Sequence, residues 1–211
     1  MSNNSLTSRK FPGYILALSG PSGVGKSTVR RMLTSVCSEY VEDIAMVTTR
    51  DPKHGDDGEY IYVTQKEFER MTRKGIIVAS TRIPSSNENR QYGYRGEDIE
   101  AVWNKGKTPV VITEVQLLEG LAHQYGRRSI LSLGLLPPGE SKRAKLSQLL
   151  HRLRSRGRET EEHMHDRLKN AEHDIDIFAE RKDLFDDVVV NKDLMQLVAL
   201  IRKKVLAFSK V

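Results

Sequence analysis

The sequence of 211 residues is long enough for one α/β domain with a buried core, and we predict that residues 1–211 form a single domain. Charged residues make up 29% and hydrophobic residues 38% of the chain, a balance that excludes an intrinsically disordered protein. The net charge of +6 is spread along the whole chain, so it suits anionic ligands in general without indicating a nucleic-acid-binding protein.

The first informative stretch is GPSGVGKS at residues 20–27, directly after an apolar run at residues 14–18 that is typical of a β-strand. It fits the pattern G-x-x-x-x-G-K-[ST], and apolar residues at helical spacing follow it. The glycines let successive backbone N–H groups turn inward around a phosphate, and the N-terminus of the following helix is directed at the same anion. Lys26 would reach the β- and γ-phosphates, and the Ser27 hydroxyl would help to hold Mg²⁺. The motif therefore predicts a site for a nucleoside triphosphate, formed by Gly20, Ser22, Gly23, Val24, Gly25, Lys26, Ser27 and Thr28.

Beyond this motif, short apolar runs alternate with amphipathic helical patterns, which predicts an α/β fold with a parallel sheet flanked by helices. The predicted strands are residues 44–49, 60–63, 76–79, 110–113, 129–136 and 188–190. The predicted helices are residues 26–36, 64–74, 99–106, 117–123, 146–153, 164–178 and 194–208. The polar stretch 80–91 contains Pro84 and several serine and asparagine residues, so we predict a long loop there.

A second polar cluster is TTRDPKHGD at residues 48–56. Arg50 can bind a phosphate bidentately, and Lys53 would add a point charge beside it. Two hydroxyl groups and a glycine complete a plausible phosphate-holding loop. Composition alone favours an ordinary polar turn, so the functional interpretation needs support from other motifs.

Several motifs together carry a family resemblance. They are GPSGVGKST at 20–28, TTRDPKHGD at 48–56, Tyr60, YG at 92–93, RGRET at 156–160, and Val189, Asn191 and Asp193 in a closing V-x-N-x-D. In this order they resemble the guanylate kinase family, from residue 13 to residue 205. The resemblance implies a P-loop NTPase fold with a small inserted acceptor-binding subdomain at 44–107 and a lid at 141–170.

The resemblance also implies an activity and roles for individual residues. The activity is transfer of the γ-phosphate of ATP, with Mg²⁺, to GMP or dGMP. The implied catalytic residues are Lys26, Arg50, Arg156 and Arg167. The implied acceptor-binding residues are Arg50, Lys53, Tyr60, Tyr92 and Glu114. Asn191 would lie near the ATP base. Arginines suit these roles because phosphoryl transfer is catalysed mainly by positioning and charge stabilisation.

The segment that corresponds to the acceptor-base site departs from the family pattern. Met46 stands where family members usually carry serine, and Ala79 lies near the position of a glutamate that reads guanine. Tyr94 replaces a serine or threonine, and Glu114 carries its carboxylate one methylene further out. Glu88 is a hypothetical substitute for the missing carboxylate. An acceptor other than GMP, either another nucleotide or a ribose phosphate, therefore remains an alternative.

Two other protein classes share parts of this pattern. A guanylate-kinase-like interaction module typically has a degraded P-loop, whereas Lys26 and Ser27 are present here. A GTPase needs N-K-x-D, and the sequence from Asn191 to Asp193 is one residue short. We therefore expect an enzyme that binds nucleotides as small-molecule substrates. We also expect it to exist as a monomer or homodimer.

The remaining expectations concern location, metals and two arginines. Cys37 is the only cysteine, and no apolar run approaches the roughly 18 residues that span a bilayer, so we predict a cytoplasmic protein without membrane or nucleic-acid partners. The six histidines show no metal-ligand spacing, so Mg²⁺ is expected to arrive with ATP. Arg152 and Arg154 are predicted to lie on a solvated helix face.

Overall fold

The structure, a computed structural model, describes residues 13–52, 56, 58–84, 89–155, 157 and 161–208. The strands in these residues are β1 (Ile15–Ser19), β2 (Val41–Asp43), β3 (Met46–Thr48), β4 (Tyr60–Tyr62), β5 (Ile77–Pro84), β6 (Asn89–Arg95), β7 (Thr108–Thr113), β8 (Ile130–Leu136) and β9 (Asp187–Val190). The α-helices are α1 (Lys26–Val36), α2 (Gln65–Arg73), α3 (Gly96–Asn104), α4 (Val115–Tyr125), α5 (Lys142–Ser155), α6 (Glu161–Glu180) and α7 (Leu194–Phe208). Two short 3-10 helices lie at Arg127–Ser129 and Lys182–Leu184.

The larger sheet has five parallel strands in the order β2-β7-β1-β8-β9. Strand β1 lies at its centre, and all five of its residues are buried, as expected for a strand that is covered on both faces. Its neighbours β7 and β8 follow it much later in the chain, so the carboxyl end of β1 lies at a change in strand order. Open α/β sheets commonly bind ligands outside the carboxyl ends of their strands, at such a change in strand order.

The smaller sheet has four strands in the order β4-β3-β6-β5 and is mixed. Strands β3 and β4 are parallel, whereas β6 is antiparallel to both β3 and β5. Helix α2 packs against it and begins at the cap residue Thr64, whose hydroxyl accepts a hydrogen bond from the backbone N–H of Glu67 at 3.2 Å. The predicted capping residue and helix are therefore confirmed.

The predicted loop at residues 80–91 is wrong in its described part. Strands β5 and β6 pair along this segment from Ile77 opposite Arg95 to Pro84 opposite Asn89, and residues 85–88 lie outside the described chain. A strand is recognised in a sequence by alternating apolar residues on a buried face. The outer part of this hairpin lacks that alternation, so its polar composition was interpreted as a loop. The short edge strand β2 is also absent from the predictions, since only Val41 in it is buried.

Two large apolar clusters cover the faces of the five-stranded sheet. Ile15 and Ala17 of β1 point into one, and Leu16 and Leu18 point into the other. The first cluster continues into the four-stranded sheet, where it includes Met46, Ala79, Tyr92 and Tyr94. A third, smaller cluster joins α2 to the outer face of that sheet and contains Val47, Phe68, Met71 and Ile77. The two sheets therefore share part of one core.

Candidate active site

The loop between β1 and α1 is shaped by glycine. Gly20 and Gly25 have φ angles of 152° and 107°, in a region that side chains with a Cβ rarely adopt. A Cβ on Gly20 would lie 2.5 Å from the Leu135 carbonyl oxygen, and one on Gly25 would lie 2.7 Å from Asn191 Nδ2. Gly25 caps α1 without a side-chain hydrogen bond to the helix, so the first N–H groups of α1 remain available to an anion.

Three side chains from distant parts of the sequence hold this loop. The Asn191 amide donates a hydrogen bond to the Val24 carbonyl at 2.7 Å, and the Arg152 guanidinium donates to the same carbonyl at 3.1 Å. Arg152 also donates to the Asn191 carbonyl at 2.9 Å, and Arg167 donates to the Ser22 hydroxyl at 2.7 Å. The structure thus brings the predicted residues Asn191 and Arg167 to the loop, together with Arg152.

The contact made by Arg152 differs from the prediction of a solvated helix face. Arg154, two residues later on α5, is exposed as predicted. Arg152 instead reaches across 128 residues of sequence to the loop. Helical spacing places the two side chains on different faces of α5, but only the position of α5 beside the loop shows which face carries the contact.

Lys26 lies over the phosphate loop at the start of α1. Its ammonium group donates hydrogen bonds to the Gly20 carbonyl and, at 3.2 Å, to the Pro21 carbonyl. Asp174 of α6 is close enough to interact with it. Burial raises the pKa of the Asp174 carboxyl, the Lys26 charge opposes that rise, and Glu114 adds to it. Sequence reasoning missed Asp174, although it lies seven residues after Arg167 and so on the same helix face.

The Ser27 hydroxyl is the oxygen that the sequence predicts as a ligand for Mg²⁺. It lies in the first turn of α1 and donates a hydrogen bond to Glu59 Oε2 at 3.5 Å. Within the described residues, no group of three or more histidine, cysteine or acidic side chains could hold a metal by itself. This donor set fits Mg²⁺ that is bound mainly through substrate phosphates and water, which is how proteins commonly hold this ion.

Arg50 and three tyrosines form a compact group at one end of the four-stranded sheet. The Arg50 guanidinium is ion-paired with Asp56 at 2.6 Å and lies 4.4 Å from the centre of the Tyr60 ring. The rings of Tyr60 and Tyr92 meet edge to face at 6.4 Å, and the Tyr62 hydroxyl donates a hydrogen bond to Asp56. The predicted residues Arg50, Tyr60 and Tyr92 are therefore neighbours, whereas Lys53 lies outside the described residues.

Charge and burial shift the ionisation of this group. Burial by itself would lower the pKa of Arg50, but the hydrogen bond and the charge of Asp56 raise it overall, so Arg50 remains cationic. Burial and the hydrogen bond to Asp56 raise the pKa of Tyr62 to about 12. Burial also raises the pKa of Tyr92. The cluster therefore offers one fixed cation and neutral phenol hydroxyls, a combination suited to a phosphate.

A buried apolar group lies directly beside these tyrosines in the four-stranded sheet, where Met46 pairs with Tyr60. Met46, Ala79 and Tyr94 are 8%, 4% and 0% exposed and belong to one buried cluster. The Tyr94 hydroxyl both donates to the Ile112 carbonyl and accepts from the Ile112 N–H, each at 2.9 Å. Strand β2 ends at Asp43, opposite Val110, so Tyr94 satisfies the backbone of β7 just beyond the last paired residue.

Glu114 lies at the start of α4 and acts as its cap. Its carboxylate accepts hydrogen bonds from the N–H groups of Gln116 at 3.0 Å and Leu117 at 2.7 Å. The predicted role of Glu114 toward the acceptor therefore has to coexist with helix capping. Arg156 and Glu88 lie outside the described residues, so their predicted roles stay predictions.

This chain is similar in sequence to known proteins. The sequence model of the guanylate kinase family matches residues 13–205. The chain belongs to the guanylate kinase family. A guanylate kinase of Oceanobacillus iheyensis is 32% identical over 191 residues, which cover 90% of this chain and 84% of the relative. A guanylate kinase of Bacillus subtilis is 31% identical over 200 residues, which cover 94% of this chain and 90% of the relative.

A solved structure supports the fold assignment. The crystal structure of guanylate kinase from Anaplasma phagocytophilum matches with a TM-score of 0.68 and 24% identity, covering 92% of this chain and 85% of that one. The predicted α/β P-loop NTPase fold and the family resemblance are confirmed. Across the described parts of the chain, none of the helices combines the length and apolar character that crossing a bilayer requires.

Proposed function

We propose that this protein is an ATP-dependent nucleoside-monophosphate kinase that transfers the γ-phosphate of ATP to GMP or dGMP, giving GDP or dGDP. Family membership supports this activity, since the relatives that match most of the chain are guanylate kinases. The observation that carries it in this chain is a complete phosphate loop that is linked to the Arg50–tyrosine group by the hydrogen bond from Ser27 to Glu59, the residue before Tyr60.

On this proposal the donor side binds ATP through backbone groups. The N–H groups of the loop and the first turn of α1 would hold the triphosphate, and Lys26 would exchange its two carbonyl partners for phosphate oxygens. Ser27 would provide the protein ligand for Mg²⁺, which when bound neutralises phosphate charge. Arg167 and Arg156 would stabilise charge on the transferring group, and Asn191 would hold the loop beside the ATP base.

The acceptor side would bind the monophosphate through Arg50, Lys53, Tyr60 and Tyr92, with Glu114 toward the base. Arg50 would exchange Asp56 for the acceptor phosphate, and its raised pKa keeps it charged throughout. The acceptor oxygen is already anionic, so the reaction needs positioning rather than a strong general base. We further propose residues 44–107 as the acceptor-binding segment, residues 141–170 as the lid, a monomer or homodimer, and a cytoplasmic location without nucleic-acid partners.

A different acceptor is the second candidate, and the buried apolar group beside the tyrosines favours it. Met46, Ala79 and Tyr94 are buried in one cluster, and the Tyr94 hydroxyl is committed to the backbone of Ile112. These positions therefore offer a base no free hydrogen-bonding group, and discrimination between bases depends strongly on such groups. Another nucleotide or a ribose phosphate is the alternative acceptor.

A panel of acceptors tests both candidates. The purified protein is incubated with ATP, Mg²⁺ and one of GMP, dGMP, AMP, CMP, UMP or ribose 5-phosphate, and ADP formation is measured. The main proposal requires the highest kcat/KM with GMP or dGMP. Turnover of another acceptor without turnover of GMP would establish the second candidate, and turnover of none would favour a non-catalytic interaction module.

The variant Lys26→Ala identifies the site responsible for the activity. It should lose ADP formation by at least about 10³-fold, because the charge on the transferring phosphate loses its loop cation. Its circular dichroism spectrum should match that of the wild type. Unchanged turnover in a folded Lys26→Ala protein would contradict the catalytic role of the loop.

A further inference from the structure

A buried arginine links the two sheets behind the phosphate loop. Arg30 lies on α1, one turn after Lys26, and its side chain is 3% exposed. Its Nε atom is 3.3 Å from Asp43 Oδ1, at the end of β2 in the five-stranded sheet. Its Nη2 atom is 2.8 Å from Glu59 Oε1, next to β4 in the four-stranded sheet. One cation therefore interacts with a carboxylate from each sheet.

Glu59 connects this ion pair to both substrate sides. Its side chain is 14% exposed, and its second oxygen, Oε2, accepts the hydrogen bond from the Ser27 hydroxyl at 3.5 Å. Its backbone N–H donates to the Asp56 carbonyl at 2.8 Å, and the side chain of Asp56 is the ion-pair partner of Arg50. Glu59 also directly precedes Tyr60, whose ring lies under Arg50.

The direction of the Ser27 hydrogen bond matters for metal binding. A serine hydroxyl has one hydrogen to donate and two lone pairs, and a metal ion binds a lone pair. When Glu59 Oε2 accepts the hydrogen, both lone pairs are left for other partners. A carboxylate that orients a metal ligand in this way commonly changes metal affinity or activity by about 10–100-fold when it is replaced.

We infer that Glu59, held in place by Arg30, is a positioning residue that orients the Ser27 hydroxyl for Mg²⁺ and ties the phosphate loop to the acceptor-binding sheet. The inference rests on the proposed function, which makes Ser27 the protein ligand of the metal. It assigns to Glu59 and Arg30 a role that neither the phosphate-loop motif nor the acceptor motif contains.

The variant Glu59→Gln tests the hydrogen-bond direction. Arg30 attracts the amide oxygen, so the NH₂ group is left facing Ser27, where it would donate to a lone pair of the hydroxyl in competition with the metal and would no longer accept the hydroxyl hydrogen. We measure binding of a fluorescent ATP analogue in EDTA and across a Mg²⁺ titration, which does not depend on turnover. The Mg²⁺ concentration for half-maximal enhancement of binding should rise about tenfold or more, while binding in EDTA should be unchanged.

Two controls separate positioning from a general structural effect. Glu119→Gln makes the same change at a carboxylate in the middle of α4, which pairs with Arg181, and its Mg²⁺ titration should match the wild type. In a Ser27→Ala background, Glu59→Gln should cause no further change in the Mg²⁺ titration, because the hydroxyl through which it acts is missing. If Glu59→Gln lowers stability, all proteins are compared below its unfolding temperature.

The outcomes are distinct for the inference and for the proposed function. A wild type that does not bind the ATP analogue with Mg²⁺ would overturn the proposed function itself. A wild type with Mg²⁺-dependent binding that Glu59→Gln leaves unaltered would overturn only the role of Glu59. Equal weakening in EDTA and in Mg²⁺, or an equal effect with and without Ser27, would likewise contradict positioning through the hydroxyl.

Discussion

The proposed donor and acceptor sides are built in different ways. The donor side is formed mainly by main-chain groups. Glycines shape the loop, and the side chains of Asn191 and Arg152 hold it by hydrogen bonds to the Val24 carbonyl. The proposed acceptor side is built from side chains, with Arg50 among aromatic rings and buried apolar residues beside them. Phosphate recognition can therefore be present in full while base recognition changes, because the two depend on different groups.

After Lys26→Ala, the largest effect is expected from Arg50 on the acceptor side. Arg50→Met removes the fixed cation of the tyrosine group and leaves Asp56 without its ion-pair partner. We expect kcat/KM for the acceptor to fall by about 10²–10³, equivalent to about 2.7–4 kcal/mol, with little change in the KM for ATP. Arg82→Met, at an exposed arginine of the same sheet, is the matched control. Equal losses for both substrates would contradict separate donor and acceptor sides.

The next effect concerns the boundary between the two sheets. Tyr94→Phe leaves the buried N–H and C=O groups of Ile112 without the hydroxyl that now bonds to both. The free energy of unfolding in urea should fall by about 1–3 kcal/mol. Tyr40→Phe, at a tyrosine that is 40% exposed, should change it little. If the Tyr94 hydroxyl is purely structural, the KM for the acceptor is unaltered, whereas a marked rise in KM would assign it to acceptor binding.

A smaller effect is expected from Arg152 on the donor side. Arg152→Ala removes the guanidinium that bonds to the Val24 and Asn191 carbonyls. The loop becomes less ordered, and the Kd for ATP should rise about tenfold, which corresponds to about 1.4 kcal/mol. Arg154→Ala, at the exposed arginine on the same helix, should leave the Kd unchanged. Equal affinities of the two variants for ATP would contradict the role of Arg152 in holding the loop.

The smallest effect is a pH dependence of stability from Asp174. Burial raises the pKa of its carboxyl in the folded protein, despite the opposing charge of Lys26. The unfolded chain therefore loses this proton first as pH rises, and folding is penalised once pH exceeds the ordinary aspartate pKa. The Tm of Asp174→Asn should equal that of the wild type at about pH 3 and exceed it at about pH 7. A lower Tm at neutral pH would mean that attraction to Lys26 outweighs burial.

The sequence predicted the elements around the phosphate loop correctly and the hairpin of β5 and β6 wrongly. The glycine loop, the strand before it and the helix after it are contiguous, so local backbone preferences and apolar periodicity suffice to define them. The hairpin of β5 and β6 was predicted as a loop, because residues 80–91 are mostly polar and contain Pro84. Its pairing depends on contact with β3, which no local pattern in residues 80–91 reveals.

The sequence by itself determined the fold class, the family and the position of the phosphate loop, because each rests on short motifs in chain order. Only the tertiary structure decided which distant side chains serve that loop. Arg152 and Asn191 reach Val24 across more than a hundred residues, and Glu59 reaches Ser27 from the other sheet. Such contacts depend on how helices and sheets pack together, so they cannot be predicted from the spacing of residues along the chain.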